Sequence, residues 1–335
     1  VAKDKKDTGP NITDVVGVDF GSTSTKLVRI RRSGQGFTLV DADVLPPFDL
    51  SEDAEPQKIS LSKKLMAPYA AACVAGRDSH VRFMFVSSKL QDNKSIQSRV
   101  SKSLGLGNDF RVGYSIVERG QDGMDHKVLA AGLPTREVNM MREFFVNNKP
   151  SLIHMEIAGL SALSSFSHSP AVQGAEGIVC YLEGGAESTL LSFFLGGELR
   201  LVRKFDHGAN YIQSRIQDVL NLSEDDALTI LFEDAAPLLD QQLDPIGTLL
   251  QEISISRKFV ERNENSRIEA VYASGGLSYS PYWTYMMTDI MGAEIQIWNP
   301  FLLNGMKNLP KGVLGVESMF APAVGAALAA LRGHV

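Results

Sequence analysis

Cysteine is scarce in this chain. Only Cys73 and Cys180 occur among 335 residues, far apart and in no CxxC spacing. That count excludes a disulfide framework. Two buried thiols are expected instead, as suits a reducing compartment. Histidine is also sparse. His80, His126, His154, His168, His207 and His334 form no HxxxH and lie near no cysteine pair, so no zinc site is expected. Long apolar runs are missing as well. The best candidate, near the C-terminus, is Ala-rich and interrupted by Pro322 and Gly325, too short to span a bilayer. The chain has no GxxxxGK(S/T) loop, no GxGxxG opening a helix and no GxSxG elbow. Positive charge is not in excess: the net charge of −6 argues against a large nucleic-acid footprint.

What remains is an ordinary globular composition, 44% hydrophobic and 21% charged, in a chain long enough for two or more lobes. The first residues, VAKDKKDTGPN, are charged and lack the apolar core of a signal peptide. A disordered leader is expected over 1–11.

The stretch Val15 to Ile30, VVGVDFGSTSTKLVRI, organises the rest. Two β-branched runs flank a small hydroxylated turn, which reads as a β-hairpin. The turn suits an anion. Backbone amides of Gly21, Ser22 and Thr23 can converge in a nest. Ser22 to Thr25 add hydroxyl donors and Lys26 adds a point charge. Asp19 ends the first strand, where a carboxylate can hold hydrated Mg²⁺ beside phosphate oxygens. Taken alone, the same residues read equally as a plain polar turn.

Further along, Phe37 to Leu45 is a third strand, stopped by Pro46 and Pro47, and an acidic loop follows. Leu61 to Ala75 is helical in composition and Val81 to Val86 is a strand. Ile96 to Leu104 (helix), Phe110 to Glu118 (strand), a turn at 121–125, Lys127 to Leu133 (strand) and Arg136 to Asn147 (helix, capped by Thr135) form a compact mixed unit over 88–148. Leu152 to Leu163 is a strand running into a helix. A second block follows: strands Gly177 to Tyr181, Ser188 to Leu195 and Glu198 to Phe205, with LEGGAES as the first turn. Its plan repeats that of residues 15–45: strand, acidic-Gly-Ser/Thr turn, strand, Gly turn, strand. Two such blocks imply two related lobes with two phosphate-facing turns.

Helices are expected over His207 to Leu222, over Asp225 to Phe232 with Ser223 as cap, and from Asp244-Pro245 to about Arg262. Ile268 to Ala273 is a strand that ends in Ser274-Gly275-Gly276, where bare backbone can approach a ligand. Pro281 to Met291 is a helix, Ala293 to Trp298 a strand and Ala321 to Leu331 a small-residue helix.

In order, these elements resemble the actin-like ATPase superfamily. DFGSTSTK is similar to its first phosphate motif, LEGGAEST to the second and VYASGGLSYSPYW to the adenosine motif. HMEIAGLSAL and FAPAVGAALAAL are similar to its two connecting helices. The unit at 88–148 is similar to the subdomain that FtsA and PilM carry, and GGELRLVRKF to a stretch that follows the second motif. The chain thus resembles the PilM branch of the FtsA/actin-like superfamily from about Ile12 to Arg332. It departs at Glu183, where Asp is usual, at Gly184, at Asp206-His207-Gly208-Ala209 and at Leu277 to Pro281.

The resemblance implies an α/β, actin-like (ribonuclease H-like) two-lobed fold with an inserted α+β subdomain. It divides the chain into a first lobe (12–87, 149–173 and 320–332), an insert (88–148), a second lobe (174–215 and 267–319) and a helical subdomain (216–266). It implies ATP and Mg²⁺ between the lobes. Asp19, Gly21, Ser22, Thr23 and Lys26 would hold phosphate from one side. Glu183, Gly185, Ala186, Glu187 and Ser188 would hold it from the other, with Gly275 and Gly276 at the adenosine. Asp19 and Glu183 would reach the metal through water, and Glu156 would orient the catalytic water. The implied function is a cytoplasmic scaffold of a type IV pilus or type II secretion-like machine, at most a slow ATPase. It would sit at the inner membrane through a PilN-like partner tail, with room for self-association and no membrane insertion of its own. A small-metabolite kinase and an assembly protein that binds no nucleotide are the alternatives.

Overall fold

A computed structural model describes residues 12–333, apart from 35, 52, 56, 91, 121–123, 146–148, 240–243, 303–305 and 307. The expected leader lies outside the described residues, as do the end of the expected helix 136–147 and most of the turn at 121–125.

The opening hairpin forms as expected. Strands β1 (Asp14–Phe20) and β2 (Thr25–Ser33) pair antiparallel, and β3 (Gly36–Leu45) adds beside β2. The next strand, β4 (Tyr69–Val74), lies parallel to β1. This corrects the helix expected over 61–75. Alanine favours helix by propensity, but Ala70, Ala71, Ala72 and Cys73 are all fully buried. Ala70 and Ala72 face one core cluster, Ala71 and Cys73 another. A parallel strand covered on both faces reads as an unbroken apolar run without alternation.

Strand β5 (His80–Val86) leaves this sheet. It joins β6 (Phe110–Glu118) and β7 (His126–Pro134) in a separate three-stranded sheet, order β5-β7-β6, with α1 (Asn93–Leu104) packed on it. The sheet of the inserted unit therefore begins at His80, ahead of residue 88. Helix α2 (Thr135–Glu143) follows. Thr135 does not cap it: the Thr135 hydroxyl donates to the Asn108 carbonyl at 3.3 Å, and Pro134 stands at the cap position without a side-chain bond. Strand β8 (Ser151–Ile157) returns to pair parallel with β4 and runs into α3 (Ala158–Phe166), then the short α4 (Pro170–Gln173).

The second half repeats the plan. Strands β9 (Ile178–Gly184), β10 (Thr189–Leu195) and β11 (Glu198–Phe205) form the antiparallel block. Helices α5 (Ala209–Leu220), α6 (Glu224–Phe232), α7 (Ala236–Leu239) and α8 (Gly247–Glu264) follow. Ser223 caps α6 as expected, accepting from the Asp226 amide. Pro245 does not open α8. Asp244 instead accepts from the Ile246 amide in a tight turn, and the helix starts beyond it. Strand β12 (Ile268–Ser274) pairs parallel with β9. Then come α9 (Pro281–Met291), a short β13 (Ile295–Ile297) parallel to β12, and α10 (Ala321–Arg332).

The two large sheets have matching order, β3-β2-β1-β4-β8 and β11-β10-β9-β12-β13. Each is an antiparallel triplet extended by two parallel strands. Helices α3 and α10 lie against one another between them. Their approach depends on glycine, since a Cβ on Gly325 would lie 1.9 Å from the Ser161 carbonyl oxygen; α10 packs as closely on β1, where a Cβ on Gly17 would lie 2.1 Å from the Ala323 carbonyl oxygen. Two hairpin turns and the Gly275-Gly276 step are thereby brought to one cleft.

Candidate functional site

In the first hairpin, Lys26 pairs directly opposite Asp19. Both are buried, and the ammonium approaches the carboxylate to 3.9 Å while donating to the Ser24 carbonyl at 3.2 Å. The Cys73 thiol donates to the other Asp19 oxygen at 3.7 Å. Burial raises the Asp19 carboxyl above its ordinary value, with Lys26 acting against it. A side chain on Gly21 would meet the Ser24 carbonyl at 2.9 Å and the Lys26 ammonium at 3.1 Å. Its absence keeps the turn open.

The second hairpin is built in the same way with one difference. Leu190 stands opposite Glu183, where the first hairpin has lysine. Glu183 is fully buried with no cation of its own, and its carboxyl is pushed up to about 8. Burial is the main cause, the nearby Asp19 charge adds to it, and Lys26 opposes it from the other lobe. The two carboxylates therefore sense each other across the cleft. Gly184, unusual for the motif, is required by packing: a Cβ there would lie 2.7 Å from that of Leu277.

The segment after β11 pins this hairpin. The first amides of α5 donate to it, Ala209 to the Gly185 carbonyl and Asn210 to that of Ala186, each at 3.0 Å. The Asn210 side chain also donates to the Glu187 carboxylate at 2.9 Å. Gly208 is needed for that approach, since a Cβ would fall 2.4 Å from the Ala186 oxygen. Among the described residues, no carbonyl accepts from the amides of Ser22 and Thr23, nor from those of Ala186 and Glu187. Each turn thus presents two consecutive free donors, as an anion nest requires.

Gly275 takes a left-handed backbone (φ 82°) at the end of β12 and packs on the second hairpin, where a Cβ would lie 2.3 Å from the Gly184 carbonyl. Ser278 turns inward and bonds the Gly275 carbonyl and the Ser318 hydroxyl, each at 2.7 Å. The Tyr279 hydroxyl accepts from the Ser318 amide at 3.2 Å. The polar residues that depart from the adenosine motif thus support the glycine step from behind.

All predicted residues of the two hairpins and of the glycine step line one cavity of about 380 Å³. Its phosphate-like end holds Asp19, Lys26 and Glu183. Its apolar lining comes from Leu228 and Phe232 of α6 together with Tyr279, Val316 and Met319. Sequence reasoning missed that lining, because α6 reads as an ordinary amphipathic helix. It also missed Asn210 and Gln213 of α5. The donor set suits a hydrated hard cation beside phosphate, which needs one or two carboxylates. A cage made by the protein alone is not offered: among the described residues, no cluster of three or more His, Cys, Asp or Glu is arranged for a metal. Glu156 is set apart. It lies on β8 beside Cys73, within 3.5 Å of the His154 ring, and does not line the cavity.

A chain of the PilM-PilN type IV pilus biogenesis complex superposes on 96% of this chain and 99% of its own length, with a TM-score of 0.76 at 17% identity. The fold is PilM-like and actin-like. More distant solved structures are a Bacteroides thetaiotaomicron protein of unknown function with an actin-like ATPase fold (10% identity, 88% and 94% covered, TM-score 0.47) and the ethanolamine utilization protein EutJ of Carboxydothermus hydrogenoformans (13% identity, 96% and 90% covered, TM-score 0.44). No family model matches the sequence, and no curated protein matches it. Among the described residues, no helix is long and apolar enough to cross a membrane.

Proposed function

We propose that this chain is an actin-like scaffold of a type IV pilus or type II secretion-like machine. It works at the cytoplasmic face of an inner membrane, held there by the short tail of a PilN-like partner. The observation that carries this reading is the full-length likeness to a chain of the PilM-PilN complex, insert included. In the same reading, the first lobe comprises β1 to β4, β8, α3 and α10, and the insert runs from His80 to α2. The second lobe comprises β9 to β13, with α6 to α8 as its helical subdomain.

ATP lies in the cavity between the hairpins. Amides of Ser22, Thr23, Ala186 and Glu187 donate to phosphate oxygens, and Lys26 supplies charge. The base occupies the apolar end, over Gly275 and Gly276. Asp19 and Glu183 hold Mg²⁺ through water, and the ion supplies neutralisation of phosphate charge. Glu156 does not line the cavity, and the turnover expected in this reading is slow or nil. Nucleotide instead biases how the lobes close.

Calorimetry with ATP and Mg²⁺, beside a pulldown with N-terminal tails of inner-membrane proteins, tests this reading. Binding of both supports it. Tail binding without nucleotide binding makes the chain a pure assembly protein. Fast turnover that depends on a small metabolite overturns the scaffold reading in favour of a kinase.

A further inference from the structure

One buried ammonium joins two parts of the chain that are distant in sequence. Lys204, near the end of β11, donates to the carbonyls of Arg77 at 2.9 Å and Ser79 at 3.3 Å, and to the Asp206 carboxylate. A lysine ammonium has three N–H donors, and here each has an acceptor. The Lys204 side chain is only 5% exposed, and Asp206 neutralises its charge. The two carbonyls belong to the link between β4 and β5.

Both linked segments reach the nucleotide cavity. On one side, Ala75 lines it directly after β4, and Gly76 then turns the chain toward Arg77 with a left-handed backbone (φ 61°). On the other side, Ala209 and Asn210 line it. Between them and Lys204 the chain is bound to the second hairpin. The Thr189 hydroxyl donates to the His207 carbonyl at 2.7 Å, and the Ala209 and Asn210 amides donate to the Gly185 and Ala186 carbonyls. The ammonium thus bridges the two sides of the cavity, a few residues from each wall.

The other contacts at this junction restrict movement less. Among the described residues, β5 and β11 share no backbone hydrogen bond. Val202 of β11 is buried in the apolar cluster against which Val81 and Phe83 of β5 pack, and apolar contact is non-directional. A second lysine, Lys127 of β7, reaches the Arg200 carbonyl at 3.4 Å, which is long for such a bond. Helices α3 and α10 hold the two large sheets together by close packing. The Lys204 bonds hold them at a second place, so the sheets cannot turn about these helices while the bonds stand.

We propose that Lys204 is a latch across the cleft. With its three bonds made, the two sides of the cavity are held at one spacing. When it releases, the second sheet turns about α3 and α10 and the cavity opens, a two-state device of the strap kind. That release gates nucleotide entry and exit rests on the ATP reading. That it sets the spacing of the two sides does not.

The test measures a distance in the full chain without ligand. Cys73 and Cys180 are fully buried, so spin labels can be placed through Lys102→Cys on α1 and Lys258→Cys on α8, both exposed positions. Pulsed electron resonance should give one narrow distribution with Lys204 in place and a broader, longer one in Lys204→Met. A fluorescent ATP analogue bound with Mg²⁺ should leave Lys204→Met about tenfold faster, as expected for the loss of bonds to a charged group. Asp206 is exposed, so Asp206→Ala serves if Lys204→Met fails to fold. It strips the buried ammonium of its counter-charge and should broaden the distribution in the same sense. An unchanged distribution in the variant that folds, or unchanged release from a chain that binds the analogue, overturns the proposal. Failure of the unmodified chain to bind the analogue overturns the ATP reading instead, and the distances alone then decide the latch.

Discussion

Lys26 stands opposite Asp19 in the β1–β2 ladder, and its ammonium lies 3.9 Å from the Asp19 carboxylate. The corresponding pair in the second hairpin is Leu190 with Glu183. One cation therefore serves two buried carboxylates, because Lys26 lowers the pKa of both Asp19 and Glu183. Removing it leaves Glu183 with nothing that favours its charged form and Asp19 with the Cys73 thiol alone. Lys26→Met should reduce ATP–Mg²⁺ affinity by about tenfold or more, the loss of a charge-assisted contact. Titration calorimetry checks this, and unchanged affinity would place the phosphates elsewhere.

Glu183 links folding to pH. Its folded value, about 8, lies above the ordinary 4.5. A raised carboxyl binds its proton more tightly in the folded state. Its contribution is therefore full below pH 4.5 and is lost as pH rises toward 8. Asp19 is raised too and acts in the same direction. Glu183→Gln keeps the shape and removes the ionisation. Without nucleotide, the variant should match the unmodified chain near pH 4.5 and melt higher than it at pH 8. The difference should be on the order of a few kcal/mol at the upper end. Thermal melts across that range check the sign, and a variant that melts lower at pH 8 would mean that the Glu183 carboxylate is stabilised in the fold.

Helix crossing is the next point of leverage. A Cβ on Gly325 would sit 1.9 Å from the Ser161 carbonyl oxygen, a backbone atom that cannot swing aside. Gly325→Val must push α10 away from α3 and disturb packing on β1 and β4. A loss of about 3 kcal/mol or more is expected. Chemical denaturation reads it directly. A neutral result would mean that the helices are further apart than this geometry has them.

How much of this was legible before the structure depends on where the signal lay. The two antiparallel blocks were, because their turns carry their own chemistry: Asp19-Phe20-Gly21-Ser22 and Glu183-Gly184-Gly185 mark both the strand ends and the anion-facing turns. Strand β4 was not, because Ala70 to Cys73 are small owing to their burial on both faces, and composition alone favours helix. The start of the inserted sheet at His80 was hidden for a similar reason: β5 reads as a strand, but not as a strand of one particular sheet. Of the cavity, the polar end was readable residue by residue. The apolar end was not, since Leu228, Phe232 and Met319 come from separate elements and meet only in three dimensions.

That apolar end yields the last expectation. Phe232 of α6 and the glycine step at Gly275-Gly276 line the same cavity, and an aromatic ring is the side chain on which a planar base stacks. Among the described residues, the charged side chains that line the cavity are Asp19, Lys26, Glu183 and Glu187, all from the two hairpins, so contacts at Phe232 depend on shape and apolar area and hardly on phosphate. Phe232→Ala should therefore weaken ATP and adenosine together by about tenfold while leaving inorganic pyrophosphate unaffected. Lys26→Met should show the opposite pattern, weakening pyrophosphate and ATP while sparing adenosine. Competition binding with the three ligands separates the two ends of the cavity. If Phe232→Ala weakened pyrophosphate as much as ATP, the base would not lie against α6 and the orientation proposed for the nucleotide would be reversed.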